Sequence, residues 1–149
     1  MVAAATPAQE RLSAADRLAV AEAVARMSHA LGANDIEAYL DAFAPGAEFL
    51  GGAGPAARGR EEIRVALSFL RAAGVGPGAR HATSDMVIEG TPAGARARYV
   101  LMLIDRAARP ALIAAADATT EFARRGGAWL ATRHAVRFDQ PPPRDARHR

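Results

Sequence analysis

A chain of 149 residues, 50% hydrophobic and 23% charged, has the length and balance of one globular domain. All 19 basic residues are arginine and cysteine is absent, which excludes a Schiff-base or P-loop lysine, a disulfide, a thiol nucleophile and a thiolate metal site. The net charge is +3, yet the arginines are scattered without interleaved aromatics, no apolar run approaches the roughly 18–20 residues of a membrane span, and Met1–Ala5 lacks the basic start of a signal peptide. The expectation is a cytoplasmic protein that binds neither nucleic acid nor membrane.

The first ten residues show no periodicity and are expected to be flexible. Ser13-Ala14-Ala15-Asp16 carries the spacing of a helix N-cap, and Val20, Val24, Met27 and Leu31 then fall on one helical face that Gly32 ends. Asn34-Asp35-Ile36-Glu37 restarts a helix whose apolar stripe is Ile36, Tyr39, Leu40 and Phe43, with Pro45-Gly46 as its stop. Ala47-Glu48-Phe49-Leu50 is a short strand candidate, and the Gly- and Pro-rich stretch from Gly51 to Gly59 is a loop. A third helix is predicted from about Arg60 to Ala73, with Ile63, Leu67 and Leu70 turned inward.

The period then changes from helix to strand. Alternating or apolar runs occupy 81–89, 96–105, 112–123 and 129–138, separated by Gly90–Gly94, Arg109-Pro110 and Gly126-Gly127. Three helices followed by a four-stranded meander predict an α+β domain over 11–139, with helices on one face of a curved antiparallel sheet. Residues 140–149, with three consecutive prolines, are expected to form a disordered tail.

His81 opens the first strand of the meander, at the mouth of a helix-covered sheet, where an imidazole is placed to move protons near neutral pH. By period two, Leu130, Thr132, His134, Val136 and Phe138 share an apolar face, so His134 is either a second acid–base group or a satisfied core histidine. Asp117 sits among four alanines, as a catalytic carboxylate or as the partner of an arginine, with Arg133 expected. Asp85 shares parity with His81, Thr83 and Val87 but reads as a solvated turn residue. Tyr99 shares parity with Ala95, Ala97, Leu101 and Leu103, as a pocket phenol or a core aromatic. Tyr39 reads as part of a helix stripe, and Arg96 and Arg98 as solvent- or subunit-facing. His29, His81 and His134 lie on three separate elements, so no metal site is expected. The glycines from Gly51 to Gly54 do not sit between a strand and a helix in a βαβ unit and are not a phosphate loop.

Several runs together resemble SnoaL-like proteins of the nuclear transport factor-like superfamily. Asn34-Asp35-Ile36-Glu37-Ala38-Tyr39, Phe43-Ala44-Pro45 and Ala47-Glu48-Phe49 are similar to their early elements. Gly59-Arg60-Glu61-Glu62-Ile63 is similar to their Gly-Arg-Glu-x-Ile helix start, Arg80-His81 to a strand-opening Arg-His, and Gly127-Ala128-Trp129-Leu130-Ala131-Thr132-Arg133 to their final strand. The resemblance covers about residues 10–139. It implies a cone-shaped α+β barrel, with three helices on a mostly antiparallel four- to six-stranded sheet around a deep apolar pocket.

The implied chemistry is cofactor-free acid–base work on an apolar, oxygenated metabolite: cyclisation, dehydration, isomerisation or epoxide opening. His81, Asp117 and His134 are the catalytic candidates, and Tyr99, Tyr39, Met27 and Phe49 the substrate contacts. The alternatives are a noncatalytic ligand-binding or assembly module, or a ring-hydroxylating dioxygenase small-subunit-like protein, since one fold hosts many functions. The resemblance departs at Met27 and Gly32, which align with a tyrosine and an aspartate in catalytic relatives, so acid–base groups would have to come from the sheet. A homodimer through the outer sheet face is expected, because strands 96–105 and 112–118 are apolar at both parities.

Overall fold

The structure is a computed structural model and describes residues 12–51 and 55–139; the expected flexible segments at 1–10 and 140–149 lie outside the described residues. The first helix, α1, spans Ala14–Gly32, and the Ser13 hydroxyl caps it by accepting from the Asp16 amide at 3.0 Å. Its stripe of Val20, Val24, Met27 and Leu31 is buried as the periodicity predicts. The second helix, α2, spans Ile36–Asp41, and the Asp35 carboxylate accepts from the Ala38 amide at 3.0 Å.

This helix stops two residues before the predicted stripe ends. Phe43 already belongs to strand β1, Phe43–Leu50, because it pairs in parallel with a later strand, and the Ala131 amide donates to the Ala42 carbonyl at 2.8 Å. Pro45 and Gly46 lie where that pairing slips, between Phe43 and Glu48, and Gly46 takes φ +71 there. The helix-stopping signal thus marks an irregularity inside a strand.

A two-residue strand β2, Ala57–Arg58, leads into helix α3, Gly59–Ala72. Its Ile63 and Leu67 are buried. Strands β3 (Arg80–Thr91), β4 (Gly94–Ile104), β5 (Leu112–Arg125) and β6 (Ala128–Phe138) form the predicted meander. The β5–β6 turn is Gly126-Gly127, with φ +56 and +81, the two left-handed positions that a tight hairpin requires.

The sheet has six strands in the order β2-β1-β6-β5-β4-β3, antiparallel except for β1 beside β6. It is a curved sheet with two free edges, β2 and β3, and does not close into a barrel. Helix α1 packs against β3, and α3 against β1. The inner face takes alternate residues of β4, from Ala95 through Tyr99 to Leu103, and of β5, from Ala116 to Phe122. No described helix is long and apolar enough to cross a membrane.

Two bulges change which side chains face inward. In β3 the register slips between Ser84 and Val87, where Asp85 takes φ +51. His81 and Thr83 lie opposite the buried Leu103 and Leu101, whereas Val87 lies opposite Arg98 and is 51% exposed, so Val87 does not share the face of His81. In β6, Ala131 pairs with Phe122 and Arg133 with Glu121, which makes Thr132 the extra residue. Ala131 is therefore the buried residue before the bulge, and Leu130 and Thr132 do not share the inner face with His134. Thr132 instead donates to the Glu121 carbonyl at 3.2 Å.

Candidate functional site

The inner face of the sheet and the helices enclose a small cavity of about 30 Å³. His81 of β3, His134 of β6, Tyr39 of α2 and Phe49 of β1 line it, with Leu101 and Leu103 from β4. Residues from an early segment (α2 and β1), the β3–β4 hairpin and the last strand thus meet at one point. Both histidines lie on inward positions of strands on opposite sides of β4 and β5.

Each imidazole is anchored through Nδ1. His81 Nδ1 lies 2.9 Å from the Ala79 carbonyl. A carbonyl only accepts, so Nδ1 carries the proton and neutral His81 leaves Nε2 with a free lone pair. His134 Nδ1 lies 2.8 Å from Thr120 Oγ1, which is also 3.0 Å from the Tyr99 hydroxyl. All three side chains are buried. In one proton arrangement Tyr99 donates to Thr120 and Thr120 donates to His134 Nδ1, which puts the His134 proton on Nε2; in the reverse, His134 Nδ1–H donates to Thr120 and Thr120 donates to Tyr99. The first arrangement makes the two imidazoles unlike: His81 offers a base and His134 an N–H donor.

Electrostatics keep both rings uncharged at neutral pH. Burial lowers the His81 pKa below 6.5, partly opposed by the bond to the Ala79 carbonyl. Burial, and secondarily a positive charge on His81, lowers that of His134 to about 4. Tyr99 is pushed up to about 12 by burial, against the opposing effect of its hydrogen bond with Thr120, so it stays a neutral phenol. The Phe49 and Phe43 rings lie 5.7 and 6.4 Å from the His134 ring, which gives one side of it an apolar wall.

Tyr39 is 1% exposed, burial holds its phenol well above the usual tyrosine range, and its hydroxyl has no hydrogen-bond partner among the described residues. A buried orphan hydroxyl at a cavity wall has unused capacity to bond whatever enters.

The other candidates are placed differently. Asp117 is on the outer face of β5, opposite Arg137 on β6, with Arg137 Nη2 2.7 Å from Asp117 Oδ2 and a carboxylate side chain 60% exposed. It does not join the histidines, because the inward parity of β5 belongs to Ala116, Ala118 and Thr120. The expected partner Arg133 instead pairs opposite Glu121. Met27 is 3% exposed in the core of α1 and does not line the cavity. Gly32 closes α1, and its carbonyl accepts from Arg106 Nη1 at 2.6 Å. Arg96 faces outward beside Glu89 and Glu121, and Arg98 beside Glu89. Among the described residues no group of three His, Asp or Glu side chains is arranged to hold a metal ion.

Thr120 is the residue that sequence reasoning missed. Its signal was present: it shares parity with Ala116, Ala118 and Phe122, and a hydroxyl in an inward row of small and aromatic residues requires a partner.

A SnoaL-like domain family matches residues 12–135. The chain belongs to the SnoaL-like family. A Nostoc punctiforme protein of unknown function with a cystatin-like fold is 26% identical, with a TM-score of 0.81 over 89% of this chain and 98% of the other. Aln2 from a Streptomyces species is 20% identical, with a TM-score of 0.75 over 87% and 95%. An NTF2-like protein from Novosphingobium aromaticivorans, also with a cystatin-like fold, is 19% identical, with a TM-score of 0.73 over 85% and 83%. No curated protein matches the sequence. As a SnoaL-like domain the chain has three helices over one face of a curved, largely antiparallel sheet, and its histidine cavity lies between those two layers.

Proposed function

We propose that this SnoaL-like protein is a cofactor-independent enzyme that moves protons on a small oxygenated substrate. His81 Nε2 takes a proton from an acidic carbon–hydrogen or hydroxyl group and, as the imidazolium, returns it to another substrate atom in an isomerisation or cyclisation, or to the departing hydroxyl, released as water, in a dehydration. His134 Nε2–H donates to the oxygen on which negative charge develops, and the Tyr39 hydroxyl supplies a second donor. The class of reaction is a lyase or isomerase step: dehydration, cyclisation or isomerisation. The observation that carries this reading is the pair of imidazoles at one cavity, His81 held through Nδ1 to a carbonyl and His134 through Nδ1 to a hydroxyl, since a base and a hydrogen-bond donor are what enolisation-type chemistry needs. Thr120 and Tyr99 hold the His134 tautomer and do not touch substrate.

The test uses a substrate that reports proton abstraction alone. Exchange of the α-hydrogens of 2-tetralone in D2O, followed by NMR, should be accelerated by the wild type and slowed at least about a hundredfold in His81→Gln. Unchanged exchange in that variant overturns the reading and favours a noncatalytic binding module.

A homodimer through the outer sheet face accompanies this proposal. Val87 is 51% exposed there, and with Leu50, Val100 and Ala135 it borders a hollow flanked by Asp85, Arg98, Asp117 and Arg137. An apolar centre with charges of both signs around it suits a self-complementary interface.

A further inference from the structure

Helix α3 does not hide all of its apolar residues. Ile63 and Leu67 are buried, but Val65 is 55% and Phe69 71% exposed, four residues apart on one helical face. They border a groove of about 610 Å³ whose other side is Pro55, Ala56 and Ala57. That volume falls in the range of small-molecule sites, about 300–1,000 Å³.

The groove adjoins the histidine cavity: Phe49, Gly51, Leu70 and Val75 line both. At Gly51 the backbone comes close to the Phe49 ring, where a Cβ would lie 2.2 Å from it. The polar groups are distributed unequally along the path. Hydrogen-bonding side chains stand at the inner end, on His81, His134 and Tyr39. Among the described residues the charged groups along the groove are Glu61 and Glu62, and no arginine lines either compartment. Glu62 is occupied in accepting from the Arg58 amide at 2.8 Å, and Glu61 lies 3.4 Å from Arg64. Among the described residues, an anionic ligand would meet carboxylates at the mouth and no cation inside.

We infer that the substrate is a neutral amphiphile, with its oxygenated end between His81 and His134 and an apolar tail laid along α3 over Val65 and Phe69. This rests on the acid–base reading for the inner end, whereas the tail contact rests on the groove alone. The inner cavity, at about 30 Å³, holds little more than a reacting oxygen and its neighbours, so the body of any ligand must lie outside it.

The test compares phenol, 4-hexylphenol and 4-hexylbenzoate by calorimetric titration. 4-Hexylphenol should bind at least about tenfold more tightly than phenol and than 4-hexylbenzoate. The double variant Val65→Ser, Phe69→Ser should erase the gain from the tail and leave phenol binding unchanged. Both side chains are largely exposed, so the fold should tolerate their replacement. A tail gain that survives in the double variant overturns the proposal, as does equal binding of the benzoate. A double variant that changes only the sedimentation of the protein also overturns it, and assigns the face to a second copy. If 4-hexylphenol binds the wild type no more tightly than phenol while His81→Gln still slows tetralone exchange, only the tail assignment fails. If exchange is unaffected but tail dependence holds, only the acid–base reading fails.

Discussion

Thr120 and His134 are directly paired residues of β5 and β6, and Thr120 Oγ1 lies 2.8 Å from His134 Nδ1. The strand register therefore sets the orientation and the hydrogen-bond partner of a buried imidazole. Tyr99, one strand further along the sheet, completes the chain at 3.0 Å.

Replacing Thr120 by valine keeps the shape and removes the hydroxyl. His134 Nδ1 and the Tyr99 hydroxyl both lose their partner in a buried setting, so Thr120→Val should cost roughly 1–3 kcal/mol of stability. Nitrogen-15 NMR of the ring should show His134 protonated at Nε2 in the wild type, and that preference should weaken in the variant. A wild-type ring protonated at Nδ1 would refute the assignment.

The pH–rate profile of tetralone exchange should rise with pH on its acid limb, because His81 acts as a base only when neutral. Burial lowers its pKa, so the midpoint should lie below 6.5. His81→Gln should remove that limb. A midpoint above 6.5 would show that another group, or a protonated imidazole, controls the rate.

Acid should destabilise the fold in two separable steps. His134 is held neutral down to about pH 4, whereas an unfolded imidazole takes its proton near 6.5. Between those values the unfolded chain binds more protons, so stability falls as pH drops from about 6.5 towards 4. Glu37, hydrogen-bonded by Arg64 and Arg60, has its pKa lowered to about 2 from 4.5. Its contribution is complete above 4.5 and is lost as pH falls through about 2. Melting temperature against pH should show the upper step flattened in His134→Gln and the lower step flattened in Glu37→Gln.

Asp117→Asn should leave tetralone exchange within about twofold of wild type and change stability by less than about 1 kcal/mol, as expected for an exposed ion pair. A large loss of activity would place the carboxylate in the chemistry despite its outward position.

Val87→Glu puts a charge in the middle of the proposed dimer face. Sedimentation should show a dimer for the wild type and a monomer for the variant at micromolar concentration. A monomeric wild type would remove the interface.

The sequence by itself determined the features that depend on near neighbours. The Ser13 cap, the helix restart near Asp35, the stripe of α1, the Gly126-Gly127 turn and the period change near His81 all follow from local sterics and hydrogen bonding, and the structure places them as predicted. The inward row of β4, with Tyr99 in it, was likewise legible, because no bulge interrupts the alternation from Ala95 to Leu103.

Only the tertiary structure decided the rest. One extra residue in a strand reverses every later side chain, and no local signal marks Thr132 as that residue, so the facing of Leu130 and Thr132 could not be read. Which arginine meets Asp117 depends on the β5–β6 register, which places Arg137 opposite it. The pairing of β1 with β6, which brings Phe49 opposite His134, spans most of the chain and depends on packing that no short window contains.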